Sequence, residues 1–298
     1  MILRRAVCLL AFGLCLAVPD ARSDTTEQDQ PSAFSSYHFD DPKQFERELE
    51  RDYRDKVLTL RHFDRRGKIE VDADGEIKGT IKPGPWTTHG KIEIVDVTVK
   101  RDRVDFQGRR LWVRWDEEKK EFQYLGTKHR VRVRFRLPRQ GLDGAWLEEA
   151  FLKVFLGNEE DLANVAPSWW QPFLAGEIQE EEKEEKGQLA AEQIGRGQLP
   201  STGVYRIGGE VSPPVCRSCP DPSYSRAARA AKIEGTVILW GIVNEEGRVV
   251  NLRIARPFGV GLDDEAVKAV QKWKFEPARR QGKPVAVYVT IEVNFTLY

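Results

Sequence analysis

The sequence predicts an α+β chain: a β-rich segment flanked by helices, then a small domain ordered helix, strand, strand, helix, strand. Three observations predict it. Residues 57–137 hold seven short runs rich in Val, Ile, Phe and Thr, broken by Gly, Asp-Gly or charged turns. Residues 285–297 place Val285, Val287, Val289, Ile291, Val293, Phe295 and Leu297 at every second position, the period of a strand with one core face. Between these parts, residues 177–186 hold six Glu and two Lys with one Ile, which cannot build a core.

The N-terminal 23 residues read as a secretory signal. Arg4 and Arg5 precede an apolar run from Ala6 to Val18, and Ala21 and Ser23 supply the small residues of a cleavage site. A spanning helix needs about 20 apolar residues, and Pro19 and Asp20 close this run earlier. Retention as an anchor is the alternative. No lipobox is visible, because Leu14 precedes Cys15. Cleavage removes Arg4, Arg5 and Arg22 against Asp20, so a neutral chain becomes a mature protein near −2, a balance that selects no partner class. Residues 24–39 read as a disordered N-terminal segment.

The β-rich domain is expected over residues 40–175. Phe45, Leu49 and Tyr53 recur every four residues on an otherwise charged helix and should lie across a sheet. The strand runs that follow are VLTLRHF, KIEVDADG, EIKGTIKPG, KIEIVDVTVK, RVDFQGRRLWVRW, EFQYLG and HRVRVRFRL, suggesting a meander, small barrel or curved sheet. Asp74-Gly75 is a hairpin signal. A second helix is expected to face inward through Trp146, Ala150, Val154 and Phe155, and Pro167 to Pro172 forms a bulky exit loop. In HRVRVRFRL, Arg130, Arg132, Arg134 and Arg136 share one face, and residues 100–136 carry 13 Lys or Arg against 6 Asp or Glu. Two readings stay open: a site for lipopolysaccharide or another polyanion, and a solvated strand face partly neutralised by Asp116, Glu117 and Glu118.

Residues 176–202 form a charged, then Gly/Pro/Ser-rich linker. Catalytic signals are weak throughout. His38, His62, His89 and His129 are scattered, so no metal site is expected. No Gly-rich loop links a strand to a helix, which argues against a nucleotide cofactor, and no nucleophile elbow is present. Neither an enzyme, a cofactor nor nucleic-acid binding is expected. Cys216 and Cys219 stand among Pro213, Pro214, Pro220 and Pro222; the extended context disfavours thioredoxin-type chemistry, and a local disulfide or two free thiols remain.

From residue 203 the pattern is denser. SYSRAARAAK favours a helix, and GTVILWGIVN-EEG-RVVNLRIARP reads as a hairpin. In GLDDEAVKAVQKW, Asp263 is placed to cap a helix whose Leu262, Ala266, Val270 and Trp273 face a sheet. These residues resemble the TonB C-terminal domain. The resemblance rests on Pro222-x-Tyr224 before Ala228-Arg229, Gly235-Thr236-Val237, Glu246-Gly247-Arg248-Val249, Leu262-Asp263, Trp273-Lys274-Phe275-Glu276-Pro277 and Gly282-Lys283-Pro284-Val285, in order over residues 208–298. It implies structural roles for Tyr224, Arg229, Gly235, Gly247, Leu262, Asp263, Trp273, Phe275 and Pro277. It further implies a periplasmic protein that meets an outer-membrane transporter, whose TonB box adds as a strand, with ExbB and ExbD as partners only if residues 1–23 are retained. The final strand, with Tyr288, Thr290, Glu292, Asn294 and Thr296 on its polar face, is the expected binding edge. Pairing of that edge in a homodimer, or its covering by the linker, is the competing reading. A scaffold or carrier whose N-terminal domain binds lipid or polyanion is the alternative function. The chain departs from the family in lacking a long proline-rich spacer.

Overall fold

The computed structural model describes Phe34 and residues 39–139, 144–157, 162–177 and 203–297. The signal segment, most of residues 24–38 and nearly all of the linker lie outside the described residues, so the expectations for them have no structural counterpart here.

Helix α1 (Pro42–Tyr53) starts where Asp41 accepts the Lys43 N–H at 2.9 Å, with Pro42 as its first residue, and it buries the stripe Phe45, Leu49 and Tyr53. It lies against a five-stranded sheet of β1 (Val57–Thr59), β2 (Lys68–Val71), β3 (Lys91–Lys100), β4 (Arg103–Asp116) and β5 (Glu121–Arg136). The order is β1-β3-β4-β5-β2, antiparallel except where β2 runs parallel to β5.

The sequence reading of seven strands is corrected to five. Residues 76–84 form no strand; they join their neighbours through the isolated bridges Val71 to Ile77 and Asp64 to Pro83 and a few single hydrogen bonds. The turn at Asp74-Gly75 does form, with Gly75 at φ +80°. EFQYLG and HRVRVRFRL are one strand, because the chain bulges between them instead of turning: Leu111 pairs with Gly126 and Arg109 with Arg130. Thr127 Oγ1 donates to the Arg110 carbonyl at 2.8 Å and accepts from the His129 N–H at 3.1 Å, so the irregular backbone keeps its hydrogen bonds. The sequence reading also missed the short helix α2 (Trp86–His89).

Helix α3 (Gly144–Val154) covers the same sheet face as α1. Its buried side is Leu147, Ala150, Phe151 and Val154, with Phe155 buried just beyond; of the expected inward face Trp146 alone is only half-buried. Phe106 of β4 sits at the centre, with ring centroids of Tyr53 at 5.4 Å, Phe151 at 5.8 Å and Phe135 at 5.8 Å.

Strand β4 serves a second core with its opposite face. Val104 and Phe106 point to the helices, whereas Leu111, Val113 and Trp115 point the other way and are buried. At the changeover, the buried Arg110 guanidinium donates to the carbonyls of His89 at 2.9 Å, Asp64 at 2.5 Å and Arg66 at 2.8 Å, stitching α2 and the 64–66 turn to the strand. Helices α4 (Leu162–Val165) and α5 (Gln171–Leu174) deliver Trp170 and Phe173 to this face. There Trp86 lies 5.1 Å from Trp170, and Trp115 lies 5.1 Å from Phe173.

The C-terminal part supplies the rest of that core. It contains β6 (Val215–Ser218), α6 (Arg226–Ala231), β7 (Gly235–Val243), β8 (Val249–Arg256), α7 (Leu262–Val270), β9 (Lys274–Glu276), β10 (Ala278–Arg280), β11 (Lys283–Val285) and β12 (Val287–Phe295). The main sheet has the order β12-β7-β8, and β6–β9 and β10–β11 form two-stranded ribbons. Val237, Leu239 and Val243 of β7 and Val287, Ile291, Val293 and Phe295 of β12 pack with Leu262, Ala266, Val267 and Val270 of α7.

Backbone hydrogen bonds join the two parts. The Trp115 N–H donates to Phe258 O at 2.9 Å, the Val260 N–H to Val113 O at 2.8 Å, and the Ile254 N–H to Trp169 O at 2.9 Å. The buried Gly261 N–H donates to Thr87 Oγ1 at 2.9 Å. Gly259, at φ +95°, makes this approach possible, since a Cβ there would lie 2.2 Å from Val113 O.

Asp263 is not the helix cap. Gly261 occupies that position in a left-handed conformation, and Asp263 is the second helical residue. Its carboxylate reaches back to the N–H groups of Phe258 at 2.7 Å and Gly259 at 2.8 Å, fastening the loop that carries the joint.

Candidate partner-binding edge

Strand β12 is the outer strand of the C-terminal sheet, paired on one side with β7 from Val287–Val243 to Phe295–Gly235. Its other side is closed only at the start. The Tyr205 N–H donates to Ala286 O at 2.8 Å, the Tyr288 N–H donates to Tyr205 O at 3.0 Å, and the Arg280 guanidinium stands 5.3 Å from the Tyr205 ring. Since Tyr288 points its backbone outward, the two-residue period turns the N–H and C=O of Thr290, Glu292 and Asn294 outward too. Among the described residues no backbone partner meets them.

The side chains of Tyr288, Thr290, Glu292, Asn294 and Thr296 are exposed, Tyr288 at 46%. Asn294 Oδ1 takes a hydrogen bond from Thr236 Oγ1 at 2.6 Å. Opposite Tyr288, Thr290 and Glu292 stand Ile242, Trp240 and Ile238 of β7, all half-buried, so the open backbone borders an apolar strip. The opposite sheet edge is met differently: Trp169 takes up the Ile254 N–H of β8.

The remaining motif residues hold this sheet in place. The Tyr224 hydroxyl donates to Ile233 O at 3.0 Å, its ring meets Phe295 at 5.5 Å, and Arg229 lies 5.8 Å above it. Gly235 opens β7, and Leu262 is fully buried. Gly247, at φ +76°, leaves no room for a side chain, because a Cβ would fall 1.9 Å from Phe275 O. Trp273 Nε1 donates to Pro220 O at 2.9 Å, Phe275 runs in β9 against β6, and Pro277 is half-buried between β9 and β10. Cys216 and Cys219 are disulfide-bonded at the exposed end of the β6–β9 ribbon, with Cα atoms 6.2 Å apart.

The arginine stripe is split. Arg134 grips Asp105 through two hydrogen bonds of 2.6 and 3.0 Å, and Arg136 reaches Glu70 at 3.0 Å and Asp102 at 2.7 Å. Lys68 and Arg136 hold Glu70 down to about 2. Arg130 and Arg132 are exposed, and no carboxylate pairs with them among the described residues. Across β3 and β4, Arg109 is paired with Glu93.

The burial of two carboxylates at the start of α7 escaped the sequence reading, which took Asp263 for the helix cap. Burial pushes Asp263 up to about 7, against the two N–H donors that favour its charged form. Burial pushes Asp264 up to about 6. Trp170 Nε1 lies near enough to favour the charged Asp264, yet neither Trp170 Nε1 nor Asp264 Oδ2 has a hydrogen bond of ordinary geometry. No sequence signal announces this contact, because residues 170 and 264 meet only through the fold.

Among the described residues, no group of three His, Cys, Asp or Glu side chains gathers as metal ligands, and no helix is long and apolar enough to cross a membrane. An open cleft of about 500 Å³ beside α3 is rimmed by Arg61, His62 and Glu149, with Lys153 already paired to Glu76.

Residues 220–297 match the family described as Gram-negative bacterial TonB protein C-terminal. Protein TonB of Vibrio cholerae is 32% identical over 108 residues, covering 34% of this chain and 44% of the relative. Protein tonB2 of Pseudomonas aeruginosa is 35% identical over 79 residues, covering 26% of this chain and 29% of the relative. The chain thus spans less than half the length of these curated relatives. A solution structure of the Pseudomonas aeruginosa TonB C-terminal domain matches at 29% identity, 30% of this chain and 89% of that one, with a TM-score of 0.25. Residues 220–297 of this chain are a TonB C-terminal domain.

Proposed function

We propose that this protein is an exported, periplasmic member of the TonB type that supports transport across the outer membrane by binding, not catalysis. Its C-terminal domain takes an extended segment of an outer-membrane transporter, the TonB box, as a fourth strand on β12. The observation that carries this reading is the open backbone of Thr290, Glu292 and Asn294 beside the half-buried Ile238 and Trp240. An incoming strand would satisfy these donors and acceptors and cover apolar surface at once. Tyr205 sets where it begins, since the first outward groups of β12 are already taken.

The test uses the full chain and box peptides, followed by backbone amide shifts. Binding should move the amides of Thr290, Glu292 and Asn294, and Glu292→Pro should abolish it. That proline removes an outward N–H and spares the ladder to β7. Shifts confined to other regions, or unchanged binding by the proline variant, would remove the strand-addition reading. Coupling to ExbB and ExbD is a separate matter, read from the native N-terminus: a mature start near Asp24 excludes it for this chain, and retention of residues 1–23 supports it.

A further inference from the structure

A second sheet edge stands open in the N-terminal part, on β5. Strand β2 pairs with β5 only from Arg132 to Phe135, so residues 121–130 have β4 on one side and no strand on the other among the described residues. The direction of the free groups follows from β4. Trp115 donates its N–H to Phe258, and Val113 O accepts from Val260, so both point away from β5. Their partners on β5 are Phe122 and Tyr124, which therefore turn their own N–H and C=O to the open side, with Gly126 in the same phase.

The surroundings of this edge are specific. Tyr124 is 41% exposed, and a side chain added at Gly126 would meet nothing within 4 Å, which leaves space for a bulky neighbour. Natural edges are blunted by charge, proline or a covering element, and the outward stretch Phe122 to Gly126 has none of these. Just past the bulge, Lys128, Arg130 and Arg132 are exposed, and no carboxylate pairs with them among the described residues. The other cations nearby are satisfied: Lys120 pairs with Glu117, and Lys119 lies 3.9 Å from Glu121. Open backbone over about 26 Å, at roughly 3.3 Å per residue, thus leads into a patch of unneutralised positive charge.

We propose that β5 is a second strand-addition site, taking an extended acidic peptide of a partner protein between Phe122 and Arg130. The backbone of Phe122, Tyr124 and Gly126 supplies the ladder, and Lys128, Arg130 and Arg132 select carboxylates at one end. This site lies on β5, separate from β12, and does not depend on the transporter reading.

The experiment titrates the full chain with a fluorescein-labelled peptide alternating glutamate and valine, with a lysine–valine peptide as control, by fluorescence anisotropy. The acidic peptide should bind and the basic one should not. Arg130→Glu with Arg132→Glu should weaken binding roughly tenfold or more, with strong salt dependence. Tyr124→Pro removes an outward N–H together with the phenol ring while leaving the ladder to β4, and should weaken binding comparably. Amide shifts at Phe122, Tyr124 and Gly126 in the unmodified chain provide a readout that needs no variant. Loss in the charge variant with full binding by Tyr124→Pro would overturn strand addition in favour of a simple polyanion surface. The same titration on a chain with residues 178–186 replaced by Gly and Ser settles the occupant. Binding by that protein alone overturns the partner and puts the chain's own acidic segment in its place. Binding by neither overturns the site.

Discussion

The two ends of the β4–β5 hairpin do different jobs with the same pair of strands. At one end, Val104 and Phe106 face α1 and α3 and complete an aromatic core with Tyr53, Phe135, Phe151 and Phe155. At the other, Val113 and Trp115 turn the opposite face to Trp86, Trp170, Phe173 and the loop before α7. The first core is tied at its rim by main-chain hydrogen bonds from the Arg61 N–H to Val154 O and from the Leu156 N–H to Thr59 O. The second is also stitched by main-chain hydrogen bonds across Gly259 and by the Thr87 hydroxyl on Gly261. A strand of 14 residues is long enough to be buried on one face for half its length and on the other for the rest. A bulge and the buried Arg110 mark the change.

Substitutions that separate these ends should have distinct signatures. The largest effect is expected from Phe106→Ala, which removes a fully buried ring and should cost about 3–5 kcal/mol in chemical denaturation. Hydrogen exchange should report loss of protection in β3 to β5 near α1 and α3. Gly259→Ala comes next, at about 2–3 kcal/mol, because the left-handed conformation and the contact with Val113 O both oppose a methyl group. Its signature is faster exchange of the Trp115 and Val260 amides with the Phe106 core unchanged, and equal loosening of both ends would contradict two distinct cores.

The smallest effect is tied to pH. Asp264 is raised to about 6 from an ordinary 3.8, so the folded chain holds a proton that the unfolded chain releases. Stability from this group is therefore greatest at low pH, falls as pH rises between those two values, and levels off above about 6. Asp264→Asn should flatten that part of the urea-midpoint profile. A profile unchanged by the substitution would show that the burial of Asp264 carries no proton linkage.

Local periodicity made much of the fold legible. The stripe Phe45, Leu49, Tyr53 and the alternation from Val287 to Phe295 each repeat with the period of their element, and each faces a core. Where local signals competed, the reading slipped. Residues 76–84 have strand-like composition but gain only isolated bridges and a few single hydrogen bonds, and Gly126 looked like a turn although Thr127 repairs the backbone within one strand. Asp263 looked like a cap because aspartate before an apolar run favours that position; the left-handed Gly261 moved the helix start forward and turned the carboxylate toward the preceding loop.

By itself, the sequence determined which segments pair and pack locally, and it carried the TonB C-terminal motif, since both depend on residues close together in the chain. Only the tertiary structure decided which edges stay open. Tyr205 closes the first turn of β12, Trp169 meets β8, β2 stops short of β5, and Arg134 and Arg136 are neutralised while Arg130 and Arg132 are not. Each of these depends on residues tens of positions apart, where a backbone hydrogen bond or an ion pair leaves no period in the sequence.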